Sequence, residues 1–280
     1  MTEWFWVDGA QTNSVSADDR GLALADGIFE TMRLEYGVLC LGSYHQYRLT
    51  EGLQRLAFRD PDGVAKQALE AVSSWALSLA ADYEGASLRL SITRGSGPRG
   101  YAPSASATPR FIGRLSTGLP ALQRPACAGV ADIAWPTQPA LSGLKLIART
   151  EQVLAAQQLS LSDYDELLMA NQRGAIVSTT SGNLFFRRGD QLVTPDLFEA
   201  GIAGTRRRYI IECLAKACEM SVSVTDIFPD MLSDFEEAFF CNSIIGIRSL
   251  ANVVHGDRKA TYDSVAAAEK LRPAIHGMDH

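Results

Sequence analysis

The chain has 280 residues and a mass of 30.3 kDa, with 26 Lys plus Arg against 32 Asp plus Glu, a formal net charge of −6. A hydrophobic share of 46% and a charged share of 21% exclude a mainly disordered chain, because enough apolar surface is present to offset chain entropy. A pI near 5.3 lacks the basic footprint of a nucleic-acid binder, so the expected partners are small molecules held by local positive charge.

In chain order, residues 3–7 (EWFWV) predict a strand that ends at the Asp8-Gly9 turn. Residues 27–35 and 38–41 predict a hairpin across Tyr36-Gly37. Leu49, Leu53 and Leu56 recur at helical spacing, which predicts a helix over 43–58 with Ser43 as its N-cap. A second helix is expected over 64–82. Residues 87–94 (SLRLSITR) alternate cleanly, and 111–115 read as another strand, with a Gly/Pro/Ser/Ala-rich loop at 95–108 between them.

Residues 116–124 (STGLPALQR) carry Gly and Pro without periodicity and are the candidate linker. Beyond it, a strand is expected at 128–134 and a helix at 149–161 with Val153, Leu154 and Leu161 facing inward. Residues 165–170 and 174–178 flank an Asn-Gln-Arg-Gly turn, and two more strands flank Arg188-Gly189-Asp190. A helix over 205–219, a buried strand at 237–241 and a C-terminal helix over 262–275 complete the pattern. The expected organisation is a smaller N-terminal α/β domain (1–115), the linker, and a larger C-terminal α/β domain (125–280) that carries the lysine singled out below.

Cysteines at 40, 127, 213, 218 and 241 form no CxxC, and four scattered His form no HExxH, so neither a disulfide framework nor a metal site is expected. The N-terminus, with an acid at position 3 and a polar turn at 8–14, does not read as a targeting peptide. No apolar run approaches the roughly 20 residues that a membrane span needs. A cytoplasmic protein with no membrane partner is the expectation.

Three local features point to chemistry. Lys145 lies between a Ser-Gly turn and a helix, among Leu144, Leu146 and Ile147. Apolar surroundings disfavour an ammonium, and a neutral amine can bond to a carbonyl. The alternative for a lysine so placed is a snorkelling side chain at a helix start. GIAGTRRR (201–208) leads two glycines and Thr205 into a helix, where backbone N–H groups suit a phosphate. CNSIIG (241–246) ends a strand in small and hydroxyl-bearing residues, so that Asn242, Ser243 and the following amides are candidate donors to the same anion.

These features sit among seven stretches: DDRGLALADGIFETMRL (18–34), HQYRL (45–49), TRGSGPRGY (93–101), KLIARTEQVLA (145–155), DELLMANQRGAIVSTTSGNLFF (165–186), GIAGTRR (201–207) and FFCNS (239–243). In order and spacing the set resembles the fold-type IV pyridoxal-phosphate enzymes, the class IV aminotransferase-like family, and most closely its 4-amino-4-deoxychorismate lyases. The resemblance implies the two-lobed α/β (α+β) fold of D-amino-acid aminotransferases, a homodimer, and an amino substrate bearing carboxylates. It makes Lys145 the residue that bonds to the cofactor aldehyde, and Arg48, Gly204, Thr205 and Ser243 the partners of its phosphate. Arg99, Tyr101 and Arg149 become candidate substrate contacts, with Arg149 on the face of Lys145 if the helix reaches that far. The rival functions are a D-amino-acid or branched-chain aminotransferase and a cofactor-binding paralogue with little turnover.

One position departs from the family. Counting five residues back from Asn183 gives Ser178, where relatives carry a glutamate that pairs with the protonated pyridine nitrogen. A carboxylate favours the charged ring and a hydroxyl does not. Ser178, with Thr179, is therefore expected to face that nitrogen and to bias the site toward elimination. Leu24-Ala25 also stand where the family pattern has Tyr-Gly, and Ala148 where it has an Asn or another polar residue.

Overall fold

The computed structural model describes residues 2–80 and 83–277. The chain divides into two compact units. The first runs from the N-terminus to Leu119 and regains Leu144–Ala148; the second comprises Pro120–Gly143 and Arg149–His276.

The first unit contains β1 (Glu3–Val7), α1 (Arg20–Leu24), β2 (Gly27–Glu35), β3 (Val38–Leu39), α2 (Gly42–Arg55), α3 (Pro61–Ala80), β4 (Gly85–Thr93) and β5 (Arg110–Thr117). Its five strands form an antiparallel sheet in the order β1-β5-β4-β2-β3. The alternation of β4 decides which face is covered: Leu88, Leu90 and Ile92 are buried while Arg89 is exposed. Leu49 and Leu53 of α2 and Ala65, Val72 and Ala76 of α3 pack on that face. The Asp60 carboxylate accepts from Gly63 N–H at 3.2 Å, and Pro61 opens α3, two signals of a helix start. Residues 81 and 82 of the expected helix lie outside the described residues. Ser43 is not the cap of α2. The chain leaves the hairpin through Leu41 at φ 54°, so the helix has already begun at Gly42.

Leu144–Ala148 belongs to this first unit, not to the C-terminal part in which Lys145 was expected. The reason is strand pairing. Phe29 N–H donates to the Lys145 carbonyl at 2.9 Å and Ile147 N–H to the Gly27 carbonyl at 3.1 Å, with Ile28 opposite Leu146. The segment thus lines the margin of β2 beyond the short β3 pairing.

The second unit contains β6 (Ala126–Val130), α4 (Thr150–Ser160), β7 (Glu166–Ala170), β8 (Ile176–Thr179), β9 (Asn183–Arg188), β10 (Gln191–Pro195), α5 (Thr205–Tyr209), α6 (Ala215–Ala217), β11 (Ser221–Thr225), β12 (Glu237–Asn242), β13 (Gly246–His255), β14 (Arg258–Thr261) and α7 (Ala266–Leu271). A π-helical turn, Ile210–Leu214, joins α5 to α6. The sheet order is β11-β10-β9-β12-β13-β6-β7-β8, with β14 paired to β13. Leu184, Phe186, Phe240 and Leu250 lie in one core cluster, and Phe185, Phe239 and Ile247 in another. Val153, Leu154 and Leu161 do not face inward: they are 55%, 45% and 90% exposed, and only Ala155 of α4 is buried. The wide apolar stripe that a core-facing helix requires is missing from α4.

Candidate active site

Each unit carries one group of the candidate residues. In the first, Lys145 is half-buried on the β2-bound segment, with its Nζ 4.4 Å from the centroid of the Phe29 ring. An ammonium over a ring face is held by the ring quadrupole. The turn at Gly143, φ 82°, precedes the lysine as expected, but the lysine itself is tied to β2 through its carbonyl and precedes no helix until Thr150. Gly27 is required opposite Ile147, because a Cβ there would come 2.7 Å from Ile147 Cδ1 and would overlap the Ile92 carbonyl.

Arg48 lies in α2 and is buried. Its Nε donates to Glu30 Oε1 at 2.7 Å and its Nη2 to Glu30 Oε2 at 2.5 Å. His45 Nδ1 lies 2.7 Å from the same Oε2. Burial alone would raise the Glu30 carboxyl, but Arg48 and then His45 outweigh it and hold the group at about 2, against an ordinary 4.5. The carboxylate therefore orients the guanidinium through a forked pair. Glu30 escaped the sequence reading because it looks like one more polar residue of a strand. The one available signal was its place in the FET stretch, three residues after Gly27.

Arg20, Asp26 and Arg94 form a second charged group in this unit. Arg20 Nε lies 2.9 Å and Arg94 Nη2 3.1 Å from the Asp26 carboxylate. Arg20 also donates to the Gly100 and Tyr101 carbonyls at 2.9 and 2.6 Å, which ties down the 95–108 loop. Arg99 and Tyr101 themselves are exposed, Tyr101 to 88%.

In the second unit, the segment 201–205 turns into α5. Gly204 is the N-cap and supplies no side chain, so the first helical N–H groups receive no side-chain oxygen from it. A Cβ on Gly204 would overlap Asn183 Oδ1, and Asn183 Nδ2 donates to the Ile202 carbonyl at 2.8 Å. Thr205 Oγ1 lies 3.3 Å from Ser243 Oγ, which brings the two candidate hydroxyls together. Behind them Arg206, 1% exposed, places Nη1 3.4 Å from Thr205 Oγ1. No acid occupies the first turn of α5. Two adjacent hydroxyls, a helix start and a buried guanidinium form a donor set that fits a phosphate.

Asn242 is engaged in its own turn. Its Oδ1 accepts from Ile244 and Ile245 N–H, both at 2.9 Å, and its Nδ2 donates to the Ser181 carbonyl at 3.2 Å. Those two amides, expected to face an anion, are thus satisfied by Asn242. Thr179 Oγ1 accepts from Gly182 N–H at 2.9 Å and from Ser181 N–H at 3.2 Å, and so shapes the turn before Asn183.

Ser178 is buried on β8, and its Oγ accepts from Trp135 Nε1 at 3.1 Å. Arg149 precedes α4, its Cζ 5.6 Å from the Trp135 ring. It does not share a helical face with Lys145, because the helix begins at Thr150. Trp135 was not singled out in the sequence. It stands before Pro136 outside any periodic segment.

A family model described as amino-transferase class IV matches residues 27–253. An aminodeoxychorismate lyase from Vibrio harveyi is 30% identical over 263 residues, 92% of this chain and 94% of that protein. The crystal structure of 4-amino-4-deoxychorismate lyase from Pseudomonas aeruginosa superimposes with a TM-score of 0.85 at 31% identity, covering 97% of both chains. A hypothetical aminotransferase from Mycobacterium tuberculosis in its pyridoxal-phosphate-bound form shares the fold, with a TM-score of 0.81 at 18% identity over 98% of this chain and 99% of that one.

Proposed function

We propose that this chain, which belongs to the amino-transferase class IV family, is an aminodeoxychorismate lyase that uses pyridoxal phosphate. The reaction converts 4-amino-4-deoxychorismate to 4-aminobenzoate and pyruvate, a step toward folate. The observation that carries this reading is the similarity, along almost the whole chain, to lyases from Vibrio harveyi and Pseudomonas aeruginosa.

Bound to the substrate amine, the cofactor supplies an electron sink for the neighbouring carbon. The protein's share is proton movement and placement. Lys145 is the amine that holds the cofactor and, once released, the base that takes the proton from the carbon bearing the substrate nitrogen. The same Nζ returns a proton to the methylene carbon of the departing enolpyruvyl group, which leaves as pyruvate. Thr205, Ser243 and the start of α5 hold the phosphate, with Arg206 behind them as fixed positive charge. Arg48 joins them through its motif, its fork set by Glu30 and His45.

The substrate carries two carboxylates, and Arg99, Tyr101 and Arg149 are its partners in this reading. The loop of Arg99 and Tyr101 is anchored by Arg20, which supports a defined position for it. The protein works as a homodimer, as the family resemblance implies, and in the cytoplasm. Among the described residues no helix is long and apolar enough to cross a membrane.

The test is release of 4-aminobenzoate from 4-amino-4-deoxychorismate, with Lys145→Ala beside the parent. Product from the parent and none from the variant is the expected result. A cofactor-loaded parent that forms no product, but needs a 2-oxo acid and accumulates an aminated cofactor, would transfer the assignment to an aminotransferase.

A further inference from the structure

β8 carries a bulge. Ser178 pairs with Met169 and Ile176 with Ala170, so Val177 is the extra residue between them. A bulge breaks strand alternation and re-aims side chains. Here Val177 joins the buried cluster of Trp135, and its neighbour Ser178 bonds to that residue's indole. Val177 also supports the turn that leads to Thr205: a Cβ on Gly201 would come 2.6 Å from Val177 Cγ1.

The polarity of the Ser178 bond follows from chemistry. An indole N–H donates and cannot accept, so Ser178 Oγ is the acceptor and its own proton is directed elsewhere. Arg149 adds positive charge beside the same indole. Glu166, the last acid before Ser178 in sequence, is engaged elsewhere. It accepts from Thr180 Oγ1 at 2.5 Å, Ser181 Oγ at 2.8 Å and Leu167 N–H at 2.8 Å.

Resting on the pyridoxal-phosphate reading above, we infer that Trp135 is a positioning residue that sets Ser178 as a hydrogen-bond donor to the pyridine nitrogen, and that this chain holds that nitrogen unprotonated. A hydroxyl proton aimed at the nitrogen disfavours a charged ring, whereas a carboxylate would favour it. The chain thereby suits substrates whose bond cleavage is driven from within, as by formation of an aromatic ring. Substrates that rely wholly on the cofactor for stabilisation are served less well.

The test is the nitrogen resonance of the holoenzyme reconstituted with pyridine-15N-labelled pyridoxal phosphate, followed against pH. The parent is expected at the position of an unprotonated pyridine that accepts a hydrogen bond. Ser178→Ala should move the resonance further from the pyridinium position, because the donated bond is lost. Ser178→Glu should move it to the pyridinium position. Trp135→Phe frees Ser178 to turn and accept, so protonation of the ring should set in at higher pH than in the parent. A pyridinium signal in the parent would overturn the inference even if the enzyme releases 4-aminobenzoate. An unmoved resonance in Ser178→Ala would remove Ser178 as the donor, and identical titrations of parent and Trp135→Phe would remove the positioning role. The alanine variant keeps the test decisive if the buried glutamate impairs folding.

Discussion

Lys145 and Phe29 are joined twice: the lysine Nζ stands 4.4 Å from the ring centroid, and Phe29 N–H donates to the lysine carbonyl at 2.9 Å. The main-chain bond fixes where the lysine starts, and the ring gives its ammonium a resting place. Phe29→Leu keeps the main-chain bond and removes the ring. An interaction of about 0.5–2 kcal/mol corresponds to a factor of about 2 to 30. Steady-state kinetics should show kcat reduced within that range and KM little changed; a rise in KM alone would mean that the ring serves substrate binding instead.

Glu30 links stability to pH. Its carboxyl, held at about 2 against an ordinary 4.5, stabilises the fold fully above the unfolded value and loses that contribution as pH falls from 4.5 toward 2. Glu30→Gln breaks the buried Glu30–Arg48 pair, a change that costs about 3–5 kcal/mol in comparable buried pairs. Chemical denaturation at a series of pH values should show the variant destabilised near neutrality, with a shallower decline through the acid window. Parallel declines would assign the acid sensitivity to other carboxylates.

The Thr205–Ser243 pair predicts cofactor affinity. A hydrogen bond to a charged acceptor contributes about 1.5–3 kcal/mol, so Thr205→Ala and Ser243→Ala should each weaken cofactor binding by roughly 10- to 100-fold. Titration of the apoprotein with pyridoxal phosphate, followed by absorbance, reads this directly. Affinity unchanged in both variants would place the phosphate elsewhere.

Ser178→Glu should change what the enzyme does as well as the charge of its cofactor. A protonated ring is a better sink, so transamination of amino-acid donors should rise strongly while elimination does not. Measuring both reactions on one preparation separates this from a general gain or loss of activity. Equal changes in the two would show that position 178 does not select between them.

Much of the fold was legible because burial follows simple periods. β4 shows it best: Leu88, Leu90 and Ile92 alternate with polar neighbours, and all three are buried. The same logic failed at α4, where Val153, Leu154 and Leu161 are exposed although apolar. It also passed over β13, whose run GIRSLANVVH mixes polar and apolar residues without a clean period yet pairs on both edges. Motif order pointed to Lys145, Thr205 and Ser243 as candidates, since turns before helices and strand ends are local features. Glu30 and Trp135 were invisible for the opposite reason. Their roles lie in bonds to Arg48 and Ser178, distant in sequence, and only the FET stretch around Glu30 gives a local hint of either.

The five residues Leu144–Ala148 return to the first unit after 24 residues, Pro120–Gly143, that belong to the second. The polypeptide is therefore laced, and no single cut yields either part whole. A fragment stopped after Leu119 would contain every strand of the five-stranded sheet but would leave the Gly27–Phe29 margin bare, a template for unrelated strands. It would also lack Lys145, the amine proposed to hold the cofactor. A single-point exchange of either part would separate Leu144–Ala148 from the β2 margin with which it pairs.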